Sequence, residues 1–204
     1  MVETDPLSSA ADLPELRELT DPKTMRALTH PVRLALLEVL ALEGPLTATE
    51  AGELIDESST TCSFHFRQLE KYGFVEEAGI GPGRQRHWKL AHVGMRFTDT
   101  NDDPEANVAA KSLSRLVTDR AIARMQNFHE TKASYSKDWQ EASDNTETLL
   151  FITPSELSQL TDDLREVFRQ YDSRVTNVEE RPEGALPVEA LLFMYPVRFT
   201  GRTR

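Results

Sequence analysis

Apolar residues recur at helical spacing across residues 22–72 and predict four successive helices. The first begins at positions 21–22, where a capping acid is followed by proline, and a His-Pro pair at 30–31 separates it from the second. Thr47 and Glu50 have the spacing of a capping box, in which each side chain accepts from the other's free backbone N–H. They therefore open a short third helix, and a polar turn separates it from the fourth.

Two short strands are predicted after the fourth helix, which covers residues 58–72. Residues 74–78 and 84–90 are the strands, and the glycine-rich stretch 79–83 that joins them is a hairpin signal. Helices followed by a two-stranded hairpin are the element order of a winged helix-turn-helix. In that fold the helix before the hairpin is the one that enters the DNA groove.

The fourth helix has two chemically different sides. At 100° per residue, the packed side holds an apolar stripe, and the opposite side holds hydroxyl, aromatic and cationic groups without a carboxylate. Such groups can hydrogen-bond base edges, contact a thymine methyl and pair with phosphates. An ordinary solvated face is the alternative for this helix alone, and the basic hairpin that follows favours DNA. The packed stripe is Cys62, Phe66 and Leu69, and the outward stripe is Thr60, Phe64, Arg67 and Lys71.

A long helix is predicted near residues 105–142, after an acidic stretch that is suited to a linker. At 1.5 Å per residue it would extend about 57 Å, which is too long for one small domain to cover. Its apolar stripe would be covered in a homodimer, with the contact on its N-terminal half. The alternative is that the stripe folds back onto the C-terminal strands. The expected dimer contacts are Leu113, Leu116 and Val117.

The last segment, residues 146–204, predicts a small strand–helix–strand element. Residues 148–152 and 188–199 are the expected strands, and Thr153 and Glu156 form a second capping box at the start of the helix between them. The element is expected to be a structural extension, to complete a dimer or to line a pocket for a small-molecule effector. The expected fold class is thus mainly α with a β wing: a winged helix-turn-helix, a long dimerisation helix and a C-terminal α/β element.

Composition sets outer limits on the function. No run of 18 uncharged apolar residues is present, which argues against a membrane span, and the acidic N-terminus does not resemble a secretory signal. A single cysteine excludes an internal disulfide framework. We expect a cytoplasmic protein with four parts: a mobile acidic tail (1–20), a DNA-binding domain (21–97), a linker with the long helix (98–145) and the C-terminal element (146–204).

The negative charge of the chain is unevenly distributed. The formal charge of −11 divides into −5 for residues 1–21, zero for 22–97 and −6 for 98–204. Residues 58–97 carry a local balance of +3. Because the field near a patch governs contact, an acidic protein with one basic stretch can still bind nucleic acid.

Three motifs resemble the ArsR-like winged-helix transcriptional regulators: ALTHPVRLALL at 27–37, SSTTCSFHFRQL at 58–69 and YGFV at 72–75. The resemblance covers roughly residues 22–95. The sequence departs from the family at Asp56 and Glu57, where a turn glycine and an apolar residue are usual, and acid is thereby placed near the DNA backbone. The resemblance implies that Ser59, Thr60, Thr61, Ser63, Phe64 and Arg67 face the major groove or its rim, and that Arg84 and Arg86 reach phosphates or the minor groove from the wing.

Metal sensing and enzyme chemistry have little support in the sequence. The cysteine pair of metal-sensing family members is missing from the short helix, and His129 has no partner histidine at ligand spacing. Cys62 lies on the packed stripe, where it is expected to be a small apolar filler. No phosphate-binding loop, nucleophile elbow or zinc-protease motif is present. We therefore expect no metal, no cofactor and no enzymatic activity.

The sequence predicts a homodimeric regulator of transcription that binds specific double-stranded DNA. The competing hypothesis is a winged helix used as a protein-interaction module without a DNA role, which the exposed Phe64 and the acidic remainder would suit. A weaker third hypothesis makes the C-terminal half an enzyme of unrecognised type. Salt-dependent binding to duplex DNA separates the first hypothesis from the second.

Overall fold

The computed structural model describes residues 17–80, 86–98, 100 and 102–198. They belong to two compact units. The first unit comprises the chain up to residue 120 together with residues 170–185, and the second comprises residues 121–169 and the chain from residue 186. The chain therefore leaves the first unit, returns to it and leaves it again.

The helices and strands follow the predicted order through the winged helix. In chain order they are β1 (Arg17–Leu19), α1 (Pro22–Leu28), α2 (Pro31–Glu43), β2 (Leu46–Thr47), α3 (Ala48–Ile55), α4 (Ser59–Lys71), β3 (Val75–Ile80), β4 (Arg86–Leu90), β5 (Met95–Phe97), α5 (Pro104–Thr131), α6 (Lys137–Ala142), α7 (Pro154–Arg169) and α8 (Ser173–Thr176). No helix in the described part of the chain is long and apolar enough to cross a membrane.

Side-chain caps set the helix boundaries where the sequence predicted them. Asp21 Oδ2 accepts from the N–H of Thr24 at 2.7 Å and opens α1. At α3, Glu50 accepts from the N–H of Thr47 at 2.8 Å and Thr47 accepts in return at 3.2 Å, so the capping box is confirmed. Gly73 follows α4 with φ 70°, a left-handed conformation that glycine adopts without steric cost.

The wing belongs to a three-stranded antiparallel sheet with the order β2–β4–β3. Leu46 pairs with Trp88, and Val75 pairs with Leu90. This sheet confirms the predicted hairpin and adds a third strand, β2, which is too short to be recognised in the sequence.

A second, two-stranded sheet corrects the predicted N-terminal tail. Strand β1 pairs in parallel with β5, with Arg17 opposite Met95, and Leu19 is buried in the core. Residues 17–19 were expected to belong to a mobile tail, but Leu19 gives this stretch an apolar anchor. Residues 1–16 lie outside the described part of the chain.

One hydrophobic core holds α1, α2, α4 and the wing together. The ring of Phe66 on α4 stacks on that of Trp88 on β4, with centroids 5.4 Å apart. Since burial of a large apolar side chain contributes about 1.5–3 kcal/mol, this pair fixes the helix against the sheet. The largest fully buried side chains include Met25, Leu28, Leu36, Leu40, Phe66 and Leu69.

The long helix differs from the prediction in its packing and in its end. Leu113 is 0% exposed and lies in the core of its own chain, which does not favour its predicted role as a dimer contact. Leu116 is partly buried against the same core, and Val117 is exposed. The helix ends at Thr131 rather than near residue 142, because a single 3₁₀ turn and then α6 interrupt it.

The two strands predicted in the C-terminal segment do not form in the single chain. Residues 148–152 and 188–198 are described and belong to neither helix nor strand. A strand needs a neighbour for its ladder hydrogen bonds, and no described residue of the chain pairs with these segments in a sheet. The helix between them does form as α7, and its capping box is confirmed: Thr153 N–H donates to Glu156 at 2.7 Å. Position 199, the end of the second expected strand, is outside the described residues.

Residues 22–90 thus have the element order and sheet of a winged helix-turn-helix, within a chain that is mainly helical.

Candidate nucleic-acid interface

The turn between α3 and α4 is closed by the backbone. The N–H of Glu57 donates to the carbonyl oxygen of Gly52 at 2.9 Å. A Cβ atom at Gly52 would lie 2.5 Å from the carbonyl oxygen of Glu57, so only glycine permits this close approach. Asp56 is left-handed, with φ 57°, a conformation that glycine adopts at the least steric cost and that aspartate tolerates.

Helix α4 begins at a hydroxyl cap. Ser58 Oγ accepts from the N–H of Thr61 at 3.0 Å, which satisfies one of the free donors of the first turn. The two helices are therefore joined by a short turn with a defined geometry, and this geometry sets the direction in which α4 leaves α3.

The two sides of α4 divide as predicted. Cys62, Phe66 and Leu69 are buried, and Thr60, Phe64, Arg67 and Lys71 are exposed. The remaining predicted DNA contacts on this helix lie at its rim: Ser59 is exposed, and Thr61 and Ser63 are half-buried.

Phe64 is the most unusual member of the outward stripe. Its side chain is 56% exposed although it is large and apolar. Its ring packs edge-on against that of His65, with centroids 5.1 Å apart, and this contact restricts its orientation. The result is an aromatic group held at the surface of α4, between positions that carry hydroxyl and cationic groups.

The two cations of the outward stripe are available to an anion. Within the described part of the chain, neither Arg67 nor Lys71 makes an ion pair. The ammonium group of Lys71 lies 5.7 Å from the ring centroid of Tyr72. The stripe therefore presents positive charge without a neutralising carboxylate among the described residues.

The wing cations have a different environment. Arg86 forms an ion pair with Glu77 at 2.9 Å, and Lys89 forms one with Glu76 at the same distance. The net charge of the wing is known from the sequence, but the pairing of its charges is not. The strand register places Glu76 directly opposite Lys89. Arg84, the other predicted wing contact, lies outside the described residues.

His65 is buried beneath the outward stripe. Its ring centroid lies 4.4 Å from that of His30, and its Nδ1 has no hydrogen-bond partner among the described residues. Burial lowers the pKa of His65, and the nearby His30 and Arg33 lower it further, while Glu57 acts in the opposite direction. His30 and His65 lie far apart in the sequence, so no local pattern reveals that their rings are neighbours.

Cys62 has the environment of a core side chain. It is buried, and this burial raises the pKa of its thiol, with a further contribution from Glu57. Among the described residues, no three His, Cys, Asp or Glu side chains come together in a group that could hold a metal ion.

Comparison with known proteins gives one family match. Residues 28–78 match a family model described as a helix-turn-helix domain. The match covers α2, α3, α4 and the start of β3. It thus includes the whole helix-turn-helix that the structure displays. A comparison with curated proteins finds no match.

Several solved structures also resemble the chain. A homodimeric winged helix-turn-helix DNA-binding domain from Mycobacterium bovis, described as a possible ArsR-family transcriptional regulator, is 24% identical over 48% of this chain and 76% of that one, with a TM-score of 0.32. A MarR family regulator from Neisseria meningitidis is 20% identical over 71% and 80%, with a TM-score of 0.29. A transcriptional regulator from Thermotoga maritima is 16% identical over 72% and 82%, with a TM-score of 0.28.

Proposed function

We propose that this protein is a sequence-specific DNA-binding regulator of transcription that acts as a homodimer in the cytoplasm. Helix α4 enters the major groove, and the wing contacts the DNA backbone. The observation that carries the proposal is the outward stripe of α4, on the second helix of a helix-turn-helix, whose cations have no carboxylate partner among the described residues.

The chemistry of the stripe suits both kinds of DNA contact. Thr60 can hydrogen-bond a base edge, and the exposed ring of Phe64 can contact a thymine methyl. Arg67 can make a bidentate contact with guanine or pair with a phosphate, while Lys71, one turn further along, supplies a point charge for the backbone. Ser59, Thr61 and Ser63 lie at the edges of this contact.

A homodimer follows from the small footprint of one recognition helix. A single helix reads only a few base pairs, whereas a two-fold pair reads half-sites about 34–36 Å apart. Leu113 is buried and Leu116 is partly buried in the core of their own chain, so the proposed homodimer does not rest on them. Val117 remains exposed on α5 and is compatible with a contact there.

Assignment to the ArsR-like regulators is the finer part of the proposal. The left-handed Asp56 supports it, since this is where the family's turn glycine is expected. The proposed regulator takes no metal through α3, because this helix lacks the cysteine pair of the metal-sensing members. A small-molecule effector is neither required nor identified by the geometry.

An interaction module that binds protein rather than DNA is the second candidate. The ion pairs of Arg86 and Lys89 favour it, because they leave the described part of the wing with little free positive charge. The exposed ring of Phe64 would then be an anchor for a partner protein.

Binding to duplex DNA as a function of salt tests the proposal. A DNA-binding protein that neutralises several phosphates loses affinity linearly in log[salt], with a slope of about −0.9 per phosphate contact. We expect such a slope for the protein, and we expect Arg67→Ala to lose about 1–3 kcal/mol of binding free energy.

Arg115→Ala is the matched control, because Arg115 is exposed on α5 and makes no ion pair within the described residues. It should bind DNA as the unaltered protein does. Salt-independent or undetectable binding would reject the DNA proposal in favour of the interaction module.

A further inference from the structure

The described part of the second unit has almost no buried interior. Among its described residues, Ala121 is the only one that is buried. Helix α7 carries an apolar stripe, but Val167 and Phe168 on it remain exposed, and its other apolar residues are at most half-buried. By contrast, the first unit buries an extensive hydrophobic cluster.

The exposed apolar residues concentrate in two segments of the second unit, residues 149–152 and 186–197. Phe151 is 94% exposed and Tyr195 is 70% exposed, although both are large aromatic residues. These segments overlap the two stretches whose apolar pattern predicts strands and which form no ladder in the single chain. The exposed set is Leu149, Leu150, Phe151, Ile152, Leu186, Val188, Leu191, Leu192, Phe193, Tyr195 and Val197.

The second segment is nevertheless anchored within its unit. Arg124, in the C-terminal half of α5, forms a salt bridge and hydrogen bonds with Glu189. Glu189 therefore holds the start of the apolar segment against a helix, and the residues that follow it remain uncovered. The exposed apolar side chains of this segment thus belong to a stretch of chain that the Arg124–Glu189 contact holds in position.

The exposed area is as large as a stable dimer needs. Phe151, Phe193 and Tyr195 are aromatic side chains of about 150–250 Å² each, and eight partly or largely exposed aliphatic side chains add to them, so the set exposes on the order of 1,000 Å² of apolar surface. A standard interface buries about 800 Å² per partner, so these side chains supply enough apolar area for one.

We propose that the second unit is a homodimerisation module in which residues 148–152 and 188–197 of two copies pack together and form their strands only in the dimer. Each segment then gains the backbone partners that it lacks in one chain, and the apolar side chains of both copies form a shared core. The use of this dimer on DNA rests on the proposed function, but the association itself does not.

A second copy is the occupant that fits these observations best. A unit without an interior must be covered at all times, because nothing else offsets the conformational entropy lost on ordering its chain. Another copy of the same chain is always present in equal amount. A two-fold contact also lets one apolar surface cover itself, without a separately made complementary surface.

The experiment is sedimentation of the full chain, with Phe151→Asp and Tyr195→Asp as variants. The unaltered protein should sediment at twice 23.1 kDa, and each variant should weaken association at least about 100-fold. Since both side chains are exposed in the single chain, these substitutions leave the monomer fold intact. Val108→Asp is the matched control, because Val108 is 66% exposed on α5 in the first unit.

Amide hydrogen exchange gives a second readout. Residues 149–152 should be protected in the unaltered protein and in Val108→Asp, and should exchange freely in Phe151→Asp. A monomeric unaltered protein, or a Phe151→Asp variant that stays dimeric with these amides protected, would overturn the proposal. Dissociation by Val108→Asp would also overturn it, because the interface would then lie on α5.

DNA binding in the same samples separates this proposal from the proposed function. If Phe151→Asp lowers affinity for the DNA site but each half-site is still bound with the same salt dependence, the result supports both the dimerisation module and the proposed function. A dimer that dissociates on Phe151→Asp but binds no DNA supports the dimerisation module and rejects the proposed function.

Discussion

The ring of His65 on α4 lies 4.4 Å from the ring of His30, the residue that caps α2. His30 Nδ1 accepts from the N–H of Val32 at 3.3 Å, so one histidine orders the start of α2 while the other is buried on α4. A proton on His65 would add a buried positive charge beside His30 and Arg33. The contact therefore connects the stability of the helix-turn-helix to pH.

We predict that the winged helix loses stability as the pH falls below about 6.5, the ordinary pKa of histidine. The pKa of His65 is lowered in the folded protein, so the unfolded chain takes up the proton first and unfolding becomes more favourable as the pH falls. The contribution of His65 is fully present above about pH 6.5 and is lost progressively below it. Thermal unfolding between pH 5 and 8 measures it.

His65→Leu should flatten this pH dependence, because it removes the buried titrating group. His129→Gln is the control, since His129 is exposed on α5. Unchanged pH dependence in His65→Leu would contradict the assignment.

Gly52→Ala should destabilise the winged helix by about 1–3 kcal/mol. In an ordinary helix this change stabilises by up to about 1 kcal/mol, so the sign distinguishes the close turn from a generic helical position. The new Cβ atom would lie 2.5 Å from the backbone oxygen of Glu57, which cannot move aside without opening the turn. Denaturant unfolding measures the loss, and Glu53→Ala, at an exposed position on α3, should change little.

Asp56 allows charge and backbone strain to be separated. Asp56→Gly should stabilise the protein by up to about 1 kcal/mol, because glycine adopts the left-handed conformation without steric cost. Asp56→Asn removes the same charge while tolerating that conformation, so it should raise DNA affinity at low salt without a comparable gain in stability. Equal DNA affinity for the Asn variant and the unaltered protein would show that this carboxylate does not face the DNA.

The ion pair of Arg86 with Glu77 predicts that substitutions at the two residues change DNA affinity in opposite directions. Arg86→Ala should lower affinity for all sequences and reduce the salt slope by about one unit, as expected for a phosphate contact. Glu77→Gln should raise affinity, because it releases Arg86 from its 2.9 Å partner. Binding titrations over a salt series measure both. The Glu77 change should have no effect in an Arg86→Ala background, and a full effect there would contradict the pairing.

The sequence predicted α1 to α4, α7, the hairpin and the two sides of α4 because each depends on local signals. Capping residues and glycines determine boundaries within a few positions, and helical periodicity determines which of Cys62 and Phe64 is buried. These are properties of short segments, and they hold wherever the segments pack.

The predictions that differ from the structure concern the packing partner of a helix or strand. Leu113 is apolar at helical spacing whether it faces its own core or a second chain, so periodicity could not distinguish the two. Residues 148–152 have a strand pattern, but a strand also needs a neighbour, which the pattern does not identify. Leu19 was missed because one apolar residue in an acidic, polar stretch is too weak a signal. The contact of His30 with His65 joins distant parts of the chain and has no sequence signature.

A last prediction concerns Arg181, which ties the returning segment 170–185 to the winged helix. Its guanidinium donates to the carbonyl oxygens of Leu42 and Ala41, the latter at 3.0 Å, and to that of Arg174 at 2.8 Å. The first two carbonyls belong to the last turn of α2, where the helix has no basic residue of its own, so a cation there is favourable.

Arg181→Ala should therefore destabilise the first unit by about 1.5–3 kcal/mol, the usual contribution of hydrogen bonds to a charged group. For a chain of this size, this corresponds to a fall in Tm of roughly 3–12 °C. Arg181→Lys keeps the positive charge but lacks the planar guanidinium that donates to several carbonyls at once, so it should recover only part of the lost stability. Arg169→Ala is the control, because its ion pair with Glu166 is exposed and contributes little.

Hydrogen exchange shows where the Arg181 loss occurs. In Arg181→Ala the amides of residues 173–181 should lose protection, while those of α4 should keep theirs, because α4 is held by the separate contact of Phe66 with Trp88. Simultaneous loss of protection in α4 would mean that the returning segment supports the DNA-binding surface directly. Unchanged protection in residues 173–181 would mean that Val178, packed against Gly44, holds the segment without the arginine.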